Sequence, residues 1–455
     1  MPECEGEGMT GLRKELTLYG LTMVAIGSCI GSGIFLTPSQ IVTQLPSPLL
    51  ALTIWAVGGL ITLTGALTFA ELGSMFPQAG GVYTYLKEGY GEVFGFLYGW
   101  AYLLVITSGA IAALTIAFAQ YLAFIFPMGQ TGITTVAILA IVVVTIVNIV
   151  RVKAAEVFSN VFTGLKLLGI SGLILVGLIW GKAGTMGAIS SISSSIERPE
   201  SMITALGVAL IGVLWSYGGW QHASFVAGEA IDARRTVPRA MIIGAIVVTV
   251  VYLLANLAYF FLLPIEAIIA SDSVAADAIS TIIPFGGTLI AIMIAISVFG
   301  TAGIYTLSAP RIYYAMASDG IFFKKLAEVH PRFRTPVNAI LVQSTWAVAL
   351  LLFWGTFEDV ITYVVFTDWI FFALTGATVF IFRRNRQDIE RPYSTLGYPV
   401  TPIIFIGISS LFVINTLIER PLHALAGLLF MVIGVFVFMA FRRKRASADR
   451  QERTG

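Results

Sequence analysis

The chain has 455 residues, of which 57% are hydrophobic and only 11% are charged, and its mean hydropathy is +0.89. Soluble globular domains carry about 25% charged residues, so the composition excludes that class and indicates an integral membrane protein surrounded by lipid. The net charge of +2 gives no indication of a nucleic-acid partner.

About 20 apolar residues cross the hydrocarbon core as a helix, and this rule predicts twelve spans. They cover approximately 16 to 44, 48 to 75, 93 to 126, 131 to 150, 156 to 180, 203 to 229, 239 to 263, 287 to 316, 336 to 355, 359 to 383, 398 to 418 and 421 to 441. The loops are too short for a second domain. The acidic start lacks the pattern of a cleaved signal, so we expect none.

The first predicted span is interrupted at its middle. Residues 26 to 35 read IGSCIGSGIF, in which Gly31, Ser32 and Gly33 are three successive poor helix formers. At membrane depth, the backbone groups that they expose must face protein or a water-filled cavity. The sequence therefore predicts a broken helix, with free carbonyls where the first half ends at Ile30 and free N–H groups where the second starts at Ile34. A small zwitterion fits these two ends.

A lysine lies inside the fifth predicted span. Lys166 is about ten residues, or ~15 Å, beyond Glu156 at the start of that span, so its amine cannot easily reach the membrane surface. A charge at this depth costs at least ~3 kcal/mol on insertion scales, and such residues are usually paired or functional. We expect either a functional cation or a fixed ion pair.

A second interrupted helix lies five spans after the first. In LIGVLWSYGGWQHASF, Gly218 and Gly219 break the sixth span at mid-depth. Paired interruptions at matching positions of two halves indicate a binding site between repeats, although close helix packing is the alternative for each glycine pair. Since five is odd, the second set of five spans is inverted relative to the first.

This pattern predicts an all-α polytopic membrane protein of twelve helices. Its core is a five-plus-five inverted repeat with broken helices 1 and 6, followed by two C-terminal helices. The predicted divisions are an N-terminal tail (1–15), a first repeat (16–182), an inverted second repeat (183–385), two further spans (386–441) and a basic tail (442–455).

Basic residues mark one side of the membrane. The lysines and arginines lie in alternate loops and in the tails, with four exceptions: Lys166, Lys182, Arg198 and Arg420. By the positive-inside rule both termini are cytoplasmic, and we expect a bacterial inner membrane protein. Glu71 and Glu229 lie near the cytoplasmic ends of spans two and six, where pairing with loop arginines is the default and a gating role the alternative.

Four stretches together resemble one transporter family. They are IGSCIGSGIFLTP at 26–38, AELGSMFPQAGGVYTYL at 70–86, YGGW at 217–220 and RIYYAMASDG at 311–320. They are similar to the amino acid, polyamine and organocation (APC) superfamily, and within it to the L-type amino acid transporter branch and its bacterial homologues. The resemblance implies the leucine-transporter-type fold and sodium-independent transport of amino acids, often as obligatory exchange.

The resemblance also implies a substrate site at the two breaks. In such transporters the substrate carboxylate meets the start of the second half of helix 1, and backbone carbonyls at the breaks hold the ammonium group. Trp215 stands where this branch carries an aromatic gate, with headgroup anchoring as the alternative. The residues implied are Gly31, Ser32 and Gly33 for the carboxylate, and Ile30, Trp215, Ser216, Gly218 and Gly219 at the carbonyl ends.

In relatives that need no sodium, a lysine at the position of Lys166 resembles a built-in substitute for the sodium ion, bridging the first and eighth spans. The implied partners are the carbonyl near Gly27 and the hydroxyl of Ser297 or Thr301. Cys4 and Cys29 can form neither a disulfide framework nor a metal cluster, so no metal or cofactor is expected.

The tenth span contains a departure from the family pattern. Asp368 stands before a tryptophan where many eukaryotic members carry an amide or a small residue. It could contact substrate, join the gating network, carry a proton or neutralise Lys166. Phe366 is expected to line the pocket beside it. His222, just past the second break, is either a proton relay or a hydrogen-bonded packing residue.

The expected function is sodium-independent exchange of neutral L-amino acids by alternating access. Asp368 leaves two alternatives open, a proton-coupled symporter and a transporter of cationic amino acids or polyamines. A membrane enzyme would need a nucleophile with its base or a metal cluster, and a channel a continuous polar pore; the sequence shows neither pattern. The loop PMGQTG lacks the cysteine through which animal L-type transporters bind a glycoprotein, so no disulfide-linked heavy chain is expected.

Overall fold

The computed structural model describes residues 12–181, 202–353, 357–419 and 421–454. Within these ranges the chain is helical and forms no β-strand, apart from one isolated bridge between Leu16 and Ala230. Four residues named above lie outside the described residues: Cys4, Lys182, Arg198 and Arg420.

The α-helices follow one another with short connections. They are α1 (Leu18–Cys29), α2 (Gly33–Gln44), α3 (Pro48–Met75), α4 (Val82–Tyr90), α5 (Glu92–Ala101), α6 (Thr107–Ile125), α7 (Gln130–Val150), α8 (Val152–Trp180), α9 (Met202–Tyr217), α10 (His222–Phe225), α11 (Ala233–Leu262), α12 (Ile265–Ile269), α13 (Val274–Ser280), α14 (Gly286–Ser308), α15 (Pro310–Ser318), α16 (Val337–Phe353), α17 (Phe357–Asn385), α18 (Val400–Glu419) and α19 (Pro421–Thr454). A π-helical turn, Tyr102–Ile106, joins α5 to α6.

Nine helical stretches within the described ranges are long and apolar enough to cross a membrane, and two shorter apolar helices, Thr204–Tyr217 and Val337–Phe353, accompany them. This confirms the predicted all-α polytopic membrane architecture. The count of twelve spans and the division into two repeats stay predictions. Within the sixth span, the helix ends at Tyr217, directly before the glycine pair at which the sequence predicts a break, and short helical turns continue to Glu229.

The first break lies where the sequence predicts it, within one residue at each side. α1 ends at Cys29, because Ile30 leaves the helical region with φ −77° and ψ 83°. α2 begins at Gly33, one residue before the predicted start. Thus only Ile30, Gly31 and Ser32 separate the two half-helices.

The second break is a turn of four residues between α9 and α10. Gly219 adopts φ +127°, a left-handed conformation that side chains disfavour, and lies directly against the first break. A β-carbon at this position would lie 2.6 Å from both the carbonyl carbon and the oxygen of Ser28. The two breaks therefore contact each other backbone to backbone.

Helix packing places these breaks at the centre of the bundle. α1 packs against α8, α11 and α14, while α2 packs against α9. Trp55 of α3, Tyr217 of α9 and Tyr252 of α11 form an aromatic cluster beside the breaks, with ring centroids 5.1 to 5.8 Å apart. The two half-helices of each break thus end inside protein, as exposed backbone groups at membrane depth require.

Candidate functional site

A cavity of about 50 Å³ lies where the two breaks meet. A volume of about 10–15 Å³ of this kind holds one water, so the cavity corresponds to a few water molecules. Of the predicted substrate-binding residues, those on its wall are Gly31, Ser32, Gly33, Trp215, Ser216, Gly218 and Gly219. Other wall residues are Cys29, Tyr102, Leu114, Gln221, His222, Thr301, Tyr305, Asp368, Trp369 and Phe372.

Hydrogen-bond donors are concentrated at the start of α2. The first backbone hydrogen bonds of this helix run from the amides of Phe35 and Leu36 to the Ser32 carbonyl, each 3.1 Å. The amides that precede Phe35 therefore lie ahead of the first hydrogen-bonded turn of α2. The Ser32 hydroxyl is buried and has no hydrogen-bond partner within the described chain. A helix N-terminus of this kind attracts an anion, and here it faces the cavity.

The carbonyls at the ends of α1 and α9 are already in use in this conformation. The hydroxyl of Tyr252 lies 2.9 Å from the carbonyl oxygens of both Cys29 and Ser216. The carbonyl of Trp215 accepts from the Gly218 amide at 3.1 Å. An ammonium group would therefore share these oxygens with internal donors.

Lys166 holds the end of α1 from behind the cavity. Its side chain is fully buried, and its amine donates to the carbonyls of Gly27 and Ile30, both at 2.8 Å, and to the Thr301 hydroxyl at 2.6 Å. All three acceptors are uncharged. None of these bonds is therefore the fixed ion pair that was the alternative for Lys166, whether with Asp368 or with another acid. The amine bridges α1 and α14, as the resemblance implies for the first and eighth spans.

Ser297 and Ile30 take positions that differ from the expectation. The Ser297 hydroxyl lies 3.1 Å from the carbonyls of Ile30 and Gly31 instead of accepting from the lysine. The Ile30 carbonyl is also within 3.1 Å of the Thr301 hydroxyl, so three donors surround it. Ile30 is therefore turned toward Lys166 and is not on the cavity wall.

Phe366 does not line the cavity. Its ring is buried beside Gly427 of α19, about 3.4 Å from the position that a β-carbon there would take. Residues two apart on an α-helix point in directions about 200° apart, so Phe366 and Asp368 face opposite sides of α17. Trp369 and Phe372 provide the aromatic wall instead.

His222 lies in a hydrogen-bonded cluster next to the cavity. Its Nε2 is 3.0 Å from the Tyr102 hydroxyl and its Nδ1 is 2.5 Å from the Ser308 hydroxyl, while its ring stacks on Tyr305 at 4.3 Å. This geometry is that of a hydrogen-bonded packing histidine. Trp215, by contrast, is half-buried at the cavity and has the exposure that a movable aromatic cover would need.

At one end of the bundle, Glu71 and Glu229 each pair with an arginine of another helix. This end is named here the basic face. Glu229 and Arg311 are both fully buried and form a bidentate pair at 2.8 and 3.0 Å. Glu71 pairs with Arg383 at 2.7 and 2.9 Å and accepts from the Thr395 amide. Both glutamates thus pair with arginines, as expected by default.

The short helix α4 is attached to α15 at the same face. Asp319 accepts hydrogen bonds from Lys87 at 2.9 Å and from the Tyr83 hydroxyl at 2.6 Å. Burial lowers the pKa of Lys87, but the hydrogen bond and the negative charge of Asp319, with that of Glu88, outweigh it and raise this pKa above its usual value. Lys87 is therefore charged at neutral pH.

Comparison with known proteins assigns this architecture to a family. The family model described as amino acid permease matches residues 16–441. The serine/threonine exchanger SteT of Bacillus subtilis is 33% identical, over 96% of this chain and 99% of its own length. The human b(0,+)-type amino acid transporter 1 is 30% identical, over 96% and 91%. The mouse large neutral amino acids transporter small subunit 2 is 31% identical, over 96% and 83%.

These relatives are transporters and not enzymes, and the family model matches the chain from before the first break to its last apolar helix. The chain therefore belongs to the amino acid permease family of the APC superfamily and resembles its L-type branch.

Proposed function

We propose that this protein is a sodium-independent exchanger of small neutral L-amino acids, which works by alternating access around the cavity between the two breaks. The observation that carries the proposal is the donor-rich start of α2, with its unpartnered Ser32 hydroxyl, facing a cavity at mid-bundle. The substrate carboxylate binds there, and its ammonium group binds at the carbonyl ends of α1 and α9. The exchange activity in the name of SteT supports the mode of transport.

Lys166 serves as the cation that holds α1 to α14. Its three bonds to Gly27, Ile30 and Thr301 resemble the coordination of a small cation by oxygen ligands. Because the amine is part of the chain, it cannot dissociate and no sodium gradient is coupled to the cycle. Trp215 is the proposed gate over the cavity.

The size of the cavity supports small substrates. About 50 Å³ accommodates a few polar atoms but not a long cationic or aromatic side chain. The substrates named for SteT, serine and threonine, have short polar side chains of a few atoms. Proton-coupled symport remains the second candidate, because Asp368 lines the cavity and its Oδ1 atom has no hydrogen-bond partner among the described residues.

We further propose that both termini are cytoplasmic, in the inner membrane of a bacterium, and that the chain works without a disulfide-linked heavy chain. The basic loops support this orientation. The proposed units are the first repeat (16–182), the inverted repeat (183–385) and the two further spans (386–441), with tails at 1–15 and 442–455.

Uptake into proteoliposomes tests the function. Labelled serine, threonine, alanine, leucine and lysine are offered to vesicles that are empty or preloaded with serine, with and without sodium and an inward proton gradient. We expect uptake of the small neutral amino acids only into preloaded vesicles, unchanged by sodium. Proton-driven uptake into empty vesicles would instead establish symport, and a strict need for sodium would contradict the role of Lys166.

Cys29 offers a chemical test of where the substrate binds. Its thiol is free, lies on the cavity wall and is 4% exposed. A small methanethiosulfonate reagent should inhibit uptake, and saturating serine should slow that inhibition at least about tenfold, since ligand and reagent occupy the same space. Cys29→Ser should be insensitive to the reagent, whereas Cys4→Ser, the matched control, should behave as wild type. Inhibition that serine does not slow would place the substrate elsewhere.

A further inference from the structure

Asp368 is a half-buried acid on the wall of the substrate cavity, and one of its carboxyl oxygens has no partner in the described part of the chain. Its Oδ1 atom is buried and makes no hydrogen bond to any described residue. The lysine that could have neutralised it instead donates to Gly27, Ile30 and Thr301. A buried polar atom without a partner costs free energy, so its presence at a binding site indicates a partner supplied by the ligand.

The neighbouring hydroxyl of Tyr102 cannot satisfy Asp368. The Ser308 hydroxyl donates its proton to the Ile304 carbonyl at 2.8 Å, so it must accept from Nδ1 of His222. Nε2 of His222 then carries the lone pair and accepts from the Tyr102 hydroxyl at 3.0 Å. The hydrogen-bond network thus assigns the histidine tautomer and uses the only proton of Tyr102.

The hydroxyl of Tyr305 is in the same situation. It donates to the Ser28 carbonyl across a long 3.4 Å contact, and Tyr305, Tyr102 and Asp368 all line the cavity. The π-helical turn that carries Tyr102 packs against α17, which carries Asp368. Asp368, Tyr102 and Tyr305 therefore form a group of oxygens, the acceptor cluster, in which both tyrosine hydroxyls already donate to other residues.

We propose that the acceptor cluster binds a hydrogen-bond donor on the substrate side chain, the hydroxyl of serine or threonine, and that Asp368 is the residue that selects such side chains. This inference rests on the proposed function and narrows its substrate class. The ammonium group is common to all amino acids, so a contact with it could not select among them. A cationic side chain would also supply donors, and labelled lysine in the uptake panel distinguishes it from a hydroxyl.

The substrate pair threonine and valine isolates the hydroxyl, because the two have nearly the same shape. A hydrogen bond that satisfies an otherwise unpartnered buried oxygen is worth enough to favour threonine over valine about ten- to a hundredfold in kcat/KM for exchange by the full chain in proteoliposomes. Serine should exceed 3-fluoroalanine, which has its size but no donor, by a similar factor. These measurements need no variant.

Asp368→Leu keeps the approximate size of the side chain and removes both of its oxygens. We expect the ratio of threonine to valine uptake to fall from at least about tenfold to below about threefold. Thr367→Val is the matched control. The Thr367 hydroxyl is buried beside Gly427 of α19, off the cavity wall, so this variant should keep the wild-type ratio.

The results that would contradict this proposal lead to different conclusions. Wild-type protein that exchanges valine and threonine equally well would overturn this inference while leaving the exchanger intact, whereas no uptake of any amino acid would overturn the proposed function itself. A loss in Asp368→Leu that is equal for both substrates would make Asp368 a structural or ammonium-binding residue. If this variant does not insert into the membrane, the comparison of serine with 3-fluoroalanine on wild-type protein tests the hydroxyl contact.

Discussion

Lys166→Met should reduce amino acid exchange at least about 100-fold, because it removes a charged donor from three acceptors at once. The carbonyls of Gly27 and Ile30 and the Thr301 hydroxyl would be left without the amine between them. Methionine has a similar length and is easier to insert into a membrane than lysine. Abundance in the membrane should therefore not fall, and the loss should appear in transport.

Lys324→Met is the control for that experiment. Lys324 is an exposed lysine in the connection between α15 and α16. Surface substitutions of this kind usually change stability by less than about 0.5 kcal/mol, so this variant should exchange amino acids nearly as wild type does. Wild-type exchange by Lys166→Met would show that the amine is not needed to hold α1 to α14.

Gly219→Ala should unfold or inactivate the protein, whereas Gly218→Ala, one residue away, should be tolerated. A β-carbon on Gly219 meets the Ser28 carbonyl at 2.6 Å, and φ of +127° adds backbone strain. Together these should cost about 3 kcal/mol or more. A β-carbon on Gly218 finds its nearest neighbour, the Trp215 carbonyl oxygen, at 3.4 Å, which is an ordinary contact.

Thermal unfolding in detergent and serine exchange in vesicles measure this difference. We expect Gly219→Ala to have a clearly lower midpoint temperature and little uptake, and Gly218→Ala to remain within about 1 kcal/mol of wild type. Equal behaviour of the two variants would mean that the breaks do not need their direct backbone contact. The pair is informative because both substitutions add the same single methyl group.

The sequence was most informative where a residue type is out of place in a membrane helix. Three poor helix formers in a row predicted the first break within one residue, and the paired glycines predicted the second. A lysine at mid-depth indicated a buried cation, and the resemblance supplied its partners at Gly27 and Thr301. Such residues are costly in lipid, so few other structural roles explain their presence in a membrane helix.

The sequence was least informative about which side of an ordinary helix faces the cavity. Phe366 was expected beside Asp368, but helical geometry turns the two away from each other. Nothing in the sequence marks Tyr102, Tyr252 or Tyr305, because aromatic residues are common in membrane helices. Their roles depend on tertiary contacts with the breaks and with His222, which no local pattern encodes.

The Tyr252 hydroxyl has one proton but lies 2.9 Å from two carbonyl oxygens, Cys29 at the end of α1 and Ser216 near the end of α9. At any instant the proton can point fully at only one of them. If either half-helix moves away, the other acceptor retains the donor, so no buried hydroxyl is stranded. A relative movement of the two half-helices therefore has a low enthalpic cost at this point, because the Tyr252 hydroxyl stays hydrogen-bonded to one of them.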